Sequence, residues 1–217
     1  MQRTPLQILA GVVHWTAPHP KHGFEVDSYW LAGHGVLVDP LVPLEGDLDW
    51  FEQQPVAPGA IVLSNRHHSR ESARFVERFG CAVYAPRSGM HEPNVASLRA
   101  RPYDPGEKLP GGLHVHEIGA LCPDDMALFS PAANAVFFAD GLVLGGGDGD
   151  QLLGFVPDSL MDGPPGTKRG LLASLRRLLD EVEFEHVLCA HGGPLLGSGR
   201  AAVQELVEAG GRTVSEL

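Results

Sequence analysis

A short polar segment, Ser-Asn-Arg-His-His-Ser-Arg at 64–70, follows the apolar run 61–63 and holds the residues best suited to chemistry. Its adjacent imidazoles, His67 and His68, are of the type that zinc and iron favour as ligands. A serine nucleophile is the other chemistry that this composition suggests. Because Ser69 lacks the Gly-x-Ser-x-Gly turn that exposes an activated hydroxyl, a serine hydrolase is not expected.

Two further motifs stand downstream of this segment. Asp140 ends the apolar run 135–139, and His191 lies in the sequence His-Val-Leu-Cys-Ala-His-Gly-Gly at 186–193. Upstream, residues 27–40 read Asp-Ser-Tyr-Trp-Leu-Ala-Gly-His-Gly-Val-Leu-Val-Asp-Pro. In kind and in order, these motifs resemble the metallo-β-lactamase superfamily, and the resemblance spans nearly the whole chain.

The superfamily signature, Thr-His-x-His-x-Asp-His, holds two divalent cations, usually zinc, which generate hydroxide near neutral pH. Laid on this chain without a gap, it puts Asn65 and His67 at its first two histidines. It puts Ser69 at the aspartate and Arg70 at the final histidine. Of these four positions, only the one at His67 keeps a good metal ligand.

The resemblance also implies roles for the downstream motifs. Asp140 matches the aspartate that bridges the two cations, and His191 matches the last histidine ligand. The remaining histidine position falls at Leu121, beside Cys122, so that ligand is absent as well. Each cation would keep two protein ligands where catalytic zinc normally has three, so a dinuclear zinc centre is not expected.

The residues that remain leave two interpretations open. His67, Asp140 and His191 would hold one divalent zinc, iron or manganese ion as a two-histidine, one-carboxylate set, with His68 or Asn65 as a further candidate ligand. Alternatively, no metal binds and the three side chains are scaffolding, with no catalytic residue assigned. We expect Arg70 to replace the second cation electrostatically and to pair with Asp140, because its charge is permanent. The residues expected to line the site with these are Asn65, His68, Ser69, Arg70, Leu121 and Cys122.

Length and composition limit the class of protein. The chain has 217 residues, of which 43% are hydrophobic, enough for one substantial core, so we expect a single domain over 1–217. Its formal net charge is −11, and no stripe of lysine and arginine is present, which disfavours nucleic acid and anionic membranes as partners. A small molecule or another protein is the expected partner. The oligomeric state stays open, and a dimer is compatible with the sequence.

Compartment signals favour the cytoplasm. No apolar run approaches the ~20 residues that cross a membrane, and the N-terminus lacks the apolar region of a signal peptide. The three cysteines, Cys81, Cys122 and Cys189, have no Cys-x-x-Cys spacing, which indicates reduced thiols.

Apolar patterns predict alternating strands and helices. Strands are predicted at 6–14, 29–31, 35–39, 61–63, 82–85, 113–118, 126–129, 136–139 and 187–189. Helices are predicted at 47–54, 71–79, 171–182 and 200–209. The segment 87–112, rich in Pro and Gly, is predicted to be an irregular loop and a candidate lid, and the Gly-rich segment 145–150 a flexible turn.

Together, pattern and resemblance imply an α/β fold, the αββα four-layer sandwich with two mixed β-sheets. The resemblance implies a metallo-β-lactamase-like protein with a degraded metal site, which lacks dinuclear zinc hydrolase activity and keeps a cleft for a small molecule or partner. The alternative function is a mononuclear metal-dependent hydrolase that acts on an ester, thioester or lactone-like bond.

Overall fold

Two β-sheets form the centre of the chain in a computed structural model that describes residues 3–145 and 152–214. The first sheet has seven strands in chain order: β1 (Leu6–Leu9), β2 (Val12–Pro18), β3 (Glu25–Leu31), β4 (Val36–Val38), β5 (Ala60–Val62), β6 (Ala82–Pro86) and β7 (Arg101–Tyr103). Neighbours from β1 to β4 are antiparallel, and neighbours from β4 to β7 are parallel, so the sheet is mixed.

The remaining strands are β8 (Lys108–Leu109), β9 (Leu113–Glu117), β10 (Met126–Ser130), β11 (Ala135–Phe138), β12 (Val143–Gly145), β13 (Leu152–Gly154), β14 (His186–Cys189) and β15 (Pro194–Leu195). Six of them form the second sheet in the order β15-β14-β11-β10-β9-β8, while β12 and β13 form a separate ribbon. Within the second sheet, β11 and β14 are parallel and the other neighbours are antiparallel.

Helices cover the outer face of each sheet. They are α1 (Asp49–Glu52), α2 (Ser72–Phe79), α3 (Pro93–Ser97), α4 (Pro164–Glu181) and α5 (Gly199–Glu208). Phe51, Phe75 and Val95 of the first three helices share a core with the first sheet, whereas Leu175 of α4 and Leu206 of α5 share one with the second. The layers are therefore helix, sheet, sheet, helix, and the αββα sandwich expected from the resemblance is confirmed.

Strand periodicity explains why the apolar residues divide into separate cores, one between the two sheets and one beneath the helices of each sheet. Successive strand residues point to opposite faces, and both faces of each sheet are covered. Tyr29 packs between the sheets, while its neighbour Trp30 packs under the helices of the first sheet. On the second sheet, Phe137 packs between the sheets and its neighbour Phe138 packs under the helices α4 and α5. Such strands read as continuous apolar runs.

Two local predictions differ from the structure, and a third is not tested by it. The strand predicted at 6–14 is two strands, because Gly11 turns the chain with a φ of 73°. The segment 87–112 is not an irregular loop, since it contains α3, β7 and β8. The turn predicted at 145–150 lies, beyond its first residue, outside the described residues. No helix of the described chain is long and apolar enough to cross a membrane.

Candidate functional site

A cleft of about 520 Å³ lies where the two sheets meet at one edge of the sandwich. Asp140 follows β11 and His191 follows β14, and the parallel pairing of these strands brings both residues to the same edge. Asp39 and Asn65 follow β4 and β5, which are parallel neighbours in the other sheet. The topology therefore gathers the ends of four strands around one site.

The turn after β5 decides which polar side chains face this edge. Residues Arg66–Ser69 form a 3₁₀ turn, and the Asn65 side-chain oxygen accepts hydrogen bonds from the backbone N–H groups of His67 at 2.9 Å and His68 at 3.1 Å. In a 3₁₀ turn, residues three apart project from the same side. Asn65 and His68 consequently face Asp140 together, and His67 is turned into the open cleft, where it is exposed.

The structure gathers His68, Asp140 and His191 into one group. His68 Nε2 lies 3.2 Å from Asp140 Oδ1, and His191 Nε2 lies 3.0 Å from the same oxygen. Their candidate ligand atoms all lie within 4.8 Å of one another. The predicted set contained His67, whereas the group formed in the structure contains His68. Two imidazoles and one carboxylate are the donors that a single open zinc or iron site uses.

Further hydrogen bonds hold each member of the group. Asn65 Nδ2 donates to Asp140 Oδ2 at 2.7 Å, and the Nδ1 atom of His68 lies 2.8 Å from Asp39 Oδ2. Asp39 is itself fixed, because its Oδ1 accepts from the backbone N–H of Ser64 at 2.8 Å. A carboxylate behind an imidazole orients the ring and sets which nitrogen faces the site.

Electrostatics bind the same residues together. Burial by itself would lower the pKa of His68, but the carboxylates of Asp140 and Asp39 outweigh burial and raise that pKa to about 9. Burial likewise opposes ionisation of Asp140, yet His68 and His191 hold its pKa well below the ordinary value. Without a metal, His68 is therefore an imidazolium between two carboxylates at neutral pH.

Arg70 lies beside this group with an unusual backbone conformation, a φ of 38°. Its Nη1 donates to the carbonyl oxygens of Asp27 at 2.5 Å and Asp39 at 2.8 Å, and its Nη2 donates to that of Ala190 at 3.3 Å. One of these carbonyls lies in β3 and the other two directly follow β4 and β14, so the contacts join the two sheets. The expected ion pair between Arg70 and Asp140 is not formed within the described chain. The guanidinium instead donates three hydrogen bonds to backbone carbonyls.

The remaining predicted lining residues divide into two sets. Ser69 and Arg70 line the cleft with His67 and His68, and Asn65 lies buried beneath them. Leu121 packs against the apolar core under α4, and neither it nor Cys122 is among the residues lining the cleft. Burial raises the pKa of the Cys122 thiol, which favours its protonated and less nucleophilic form.

A wall of aromatic and imidazole rings beside the site was not predicted from the sequence. The loop between β2 and β3 carries His19 and His22, whose ring centroids lie 4.7 Å apart, and both rings contact Phe24. Phe24 in turn lies 5.9 Å from the His191 ring. Only the flanking prolines mark this loop in the sequence, and they give no indication that it folds over the site.

Comparisons with known proteins identify the architecture. No protein-family model and no curated protein matches the chain. Among solved structures, a metallo-β-lactamase family protein of Thermus thermophilus has a TM-score of 0.65 at 19% identity, covering 94% of this chain and 80% of that one. A metallo-β-lactamase of Pontibacter korlensis has a TM-score of 0.65 at 18% identity, covering 94% of this chain and 98% of that one.

A third solved structure, of a protein in a di-iron-bound form, has a TM-score of 0.57 at 22% identity and covers 92% of this chain and 96% of that one. All three similarities extend over almost the entire αββα sandwich described above. The chain therefore has the metallo-β-lactamase fold.

Proposed function

We propose that this chain is a metallo-β-lactamase-fold protein with a degraded metal site, which binds a small molecule in its cleft and lacks dinuclear zinc hydrolase activity. The main support is Arg70. It replaces the final histidine of the signature, and its guanidinium is anchored on carbonyls of both sheets at the edge where the site lies. A permanent cation fixed at this point repels a second metal ion.

The neighbouring replacements support the same proposal. Asn65 uses its amide nitrogen as a donor to Asp140, and Ser69 offers a neutral hydroxyl in place of a carboxylate. Leu121 provides no donor at all and packs in the core. The donor set that remains has the size for one divalent cation but not for two.

A mononuclear hydrolase is a second candidate, and the grouping of His68, Asp140 and His191 favours it. When bound there, a divalent cation would act as a Lewis acid on an ester, thioester or lactone-like carbonyl. The chain's own contribution would be positional. Asp39 would orient the His68 ring, and Asn65 would hold the Asp140 carboxylate in place.

Thermal unfolding of chelator-treated protein with Zn²⁺, Mn²⁺ or Fe²⁺ separates the two candidates. A metal that binds only the folded state raises Tm by mass action. If wild type shows no saturable rise, the mononuclear hydrolase is excluded. A rise that His68→Ala abolishes and His67→Ala retains, together with hydrolysis of an ester, thioester or lactone, would overturn the degraded-site proposal in favour of the mononuclear hydrolase.

Ligand binding by the cleft needs a separate test. Ala73 is exposed on α2 and lines the cleft, so Ala73→Trp should obstruct it. Ala201→Trp on the exposed face of α5 adds the same side chain to the opposite outer layer. In a small-molecule screen by thermal unfolding, we expect hits that stabilise wild type and Ala201→Trp but not Ala73→Trp. Hits that stabilise all three proteins equally would argue against the cleft.

A further inference from the structure

The arginine charges that line the cleft are compensated by carboxylates. Arg66 is paired with Asp124 at 2.6 Å. Arg70 is buried in the field of three carboxylates, those of Asp27, Asp39 and Asp140, which offset its charge. Among the described lining residues, a ligand therefore meets no arginine whose charge is left over.

The other charges of the lining balance as well. Lys21 is exposed and Glu92 is half-buried, and neither forms an ion pair with a described residue, so one charge of each sign remains. At the floor, Asp140 is held between His68 and His191. A charged group on a ligand would lose hydration here without gaining a full opposite charge, which is costly. The charge balance therefore favours a neutral ligand.

The lining is nevertheless polar. Of its 17 described residues, four are apolar, namely Pro20, Phe24, Ala73 and Leu98. Sites for apolar ligands are lined mainly by hydrophobic and aromatic side chains. This composition favours a ligand that forms hydrogen bonds over much of its surface.

Three polar side chains of the lining have unused hydrogen-bonding capacity. His67 and Ser69 lie on the turn after β5, and Asn94 lies on α3. None of these three side chains has a hydrogen-bond partner within the described chain. Imidazole, hydroxyl and amide groups each combine donor and acceptor positions. Hydroxyl groups of a ligand do the same, so they match this set better than groups that only donate or only accept.

The wall of rings offers the ligand a second kind of surface. The His22 and Phe24 rings lie within 12° of parallel, and the His19 and Phe24 rings within 26°. Phe24 is 37% exposed and lines the cleft. The faces of aromatic rings carry negative potential and attract the positive edges of C–H groups. Sugar rings present such C–H groups on one face and hydroxyl groups around their edge.

We propose that the cleft binds a neutral sugar, which packs the C–H face of its ring on the wall of rings and forms hydrogen bonds with His67, Ser69 and Asn94. This inference rests on the proposed function of the cleft as a ligand site. The cleft volume of about 520 Å³ lies within the range of about 300–1,000 Å³ that ligand pockets span.

The test is titration calorimetry of metal-free protein with the neutral sugars glucose, galactose, mannose, maltose and lactose. The uronate and amino-sugar counterparts of the hexoses form a second arm, because they carry the same ring with one negative or one positive charge. We expect saturable binding of a neutral sugar by wild type. The charged counterparts should bind more weakly, since the lining offers no uncompensated charge to them.

Two matched pairs of variants locate the binding. Asn94→Ala removes an amide from the lining, whereas Gln204→Ala removes an exposed amide from α5. Phe24→Ala removes a ring from the wall, whereas Leu160→Ala removes an apolar side chain that is 58% exposed away from the cleft lining. We expect Kd to rise about threefold to tenfold in Asn94→Ala and in Phe24→Ala, and to stay unchanged in the two controls.

The absence of saturable sugar binding would overturn the proposal, as would equal affinities in wild type and all four variants. Tighter binding of a charged counterpart than of its neutral sugar would also overturn it. The blocked variant Ala73→Trp separates these failures from that of the ligand site itself. If other molecules bind wild type and Ala73→Trp excludes them, the cleft is a ligand site for another class of ligand. If nothing binds, the proposed function fails as well.

Discussion

At the scale of single residues, Arg70 is the side chain on which the site most depends. It joins carbonyl groups of both sheets, and a residue with φ of 38° keeps such a strained conformation only when its surroundings hold it there. Removing the guanidinium leaves Asp27, Asp39 and Ala190 with carbonyl oxygens that lose a charged donor. The structure of the cleft floor should therefore weaken without it.

We predict that Arg70→Ala lowers the free energy of unfolding by about 3 kcal/mol or more, since hydrogen bonds from a charged group are worth about 1.5–3 kcal/mol each. Arg70→Lys keeps the charge but loses the planar guanidinium. Its free energy of unfolding should lie between those of wild type and Arg70→Ala. Urea unfolding measures both. Arg74→Ala, at a side chain that is 48% exposed, is the control and should change stability by less than about 0.5 kcal/mol.

Two outcomes would contradict this role for Arg70. One is an unfolding midpoint for Arg70→Ala that equals that of wild type. The other is an Arg70→Lys protein less stable than Arg70→Ala, because the lysine keeps the positive charge that the carbonyl groups contact.

Asp125 is a second residue with a specific energetic signature. Its side chain is fully buried, and neither carboxyl oxygen forms a hydrogen bond of normal geometry in the described chain, the backbone of Gly141 making only a weak polar contact. Burial, reinforced by the charge of Asp140, raises the pKa of Asp125 well above the ordinary value. A raised folded-state pKa gives a contribution to stability that is complete below about pH 4 and is lost as pH rises toward the folded pKa.

We therefore predict that Asp125→Asn, which cannot ionise, gains stability relative to wild type between pH 4 and pH 7.5. The gain should be about 1 kcal/mol or more, because one pKa unit corresponds to about 1.4 kcal/mol. Urea unfolding of both proteins at the two pH values measures it. Asp180→Asn on the exposed face of α4 is the matched control. An identical stability difference at both pH values would show that Asp125 does not titrate as inferred.

The sequence predicts part of the site at this scale. Asp140 and His191 follow apolar strands, and the superfamily resemblance placed both at the site. The resemblance could not predict that His68 would face Asp140, because a gapless match assumes the turn of the family. Here Asn65 caps a 3₁₀ turn, and three-residue spacing selects His68 instead of His67.

At the scale of elements, the turn after β14 shows how closely the backbone approaches itself beside the site. Gly192 has a φ of 88°, and a Cβ there would lie 1.6 Å from the carbonyl oxygen of Leu144 in β12. The adjacent His191 carbonyl accepts a hydrogen bond from the Leu144 N–H at 3.0 Å. Any side chain at this position must displace β12 or the His191 turn.

We predict that Gly192→Ala destabilises the protein by about 3 kcal/mol or more, since a backbone clash adds to the ~1–3 kcal/mol of a left-handed residue. Gly197→Ala is the matched control, because Gly197 has a φ of 80° with nothing within 4 Å of the added Cβ. Calorimetric unfolding should show a clearly larger loss at Gly192. Equal losses would mean that the close approach of β12 is unimportant.

Element prediction succeeds where packing is simple. The apolar stripe of α4 has helical spacing, and Leu171, Leu175 and Leu178 are all buried against the second sheet. Element prediction fails at β7 and β8, where pairing with neighbouring strands, and not the local sequence, determines the secondary structure. These strands are short, and they form because β6 and β9 offer unpaired edges beside them.

At the scale of the whole molecule, the αββα sandwich could be predicted because the strand ends and the motif order resemble those of the metallo-β-lactamase superfamily. The buried runs themselves predicted only an α/β protein. The fold brings strand ends of both sheets to one edge, which is where a site is expected. The fold does not specify the chemistry of this site. The chemistry depends on Arg70 and on the residues that follow the four strands, Asp39, Asn65, Asp140 and His191.

We propose that this edge of the sandwich cannot hold two metal ions. The most direct test is the number of metal ions per chain in untagged protein that has been chelated, saturated with zinc and dialysed, measured by elemental analysis. We predict no more than one ion per chain in wild type, with any such ion lost in His68→Ala. Two zinc ions per chain would contradict the account.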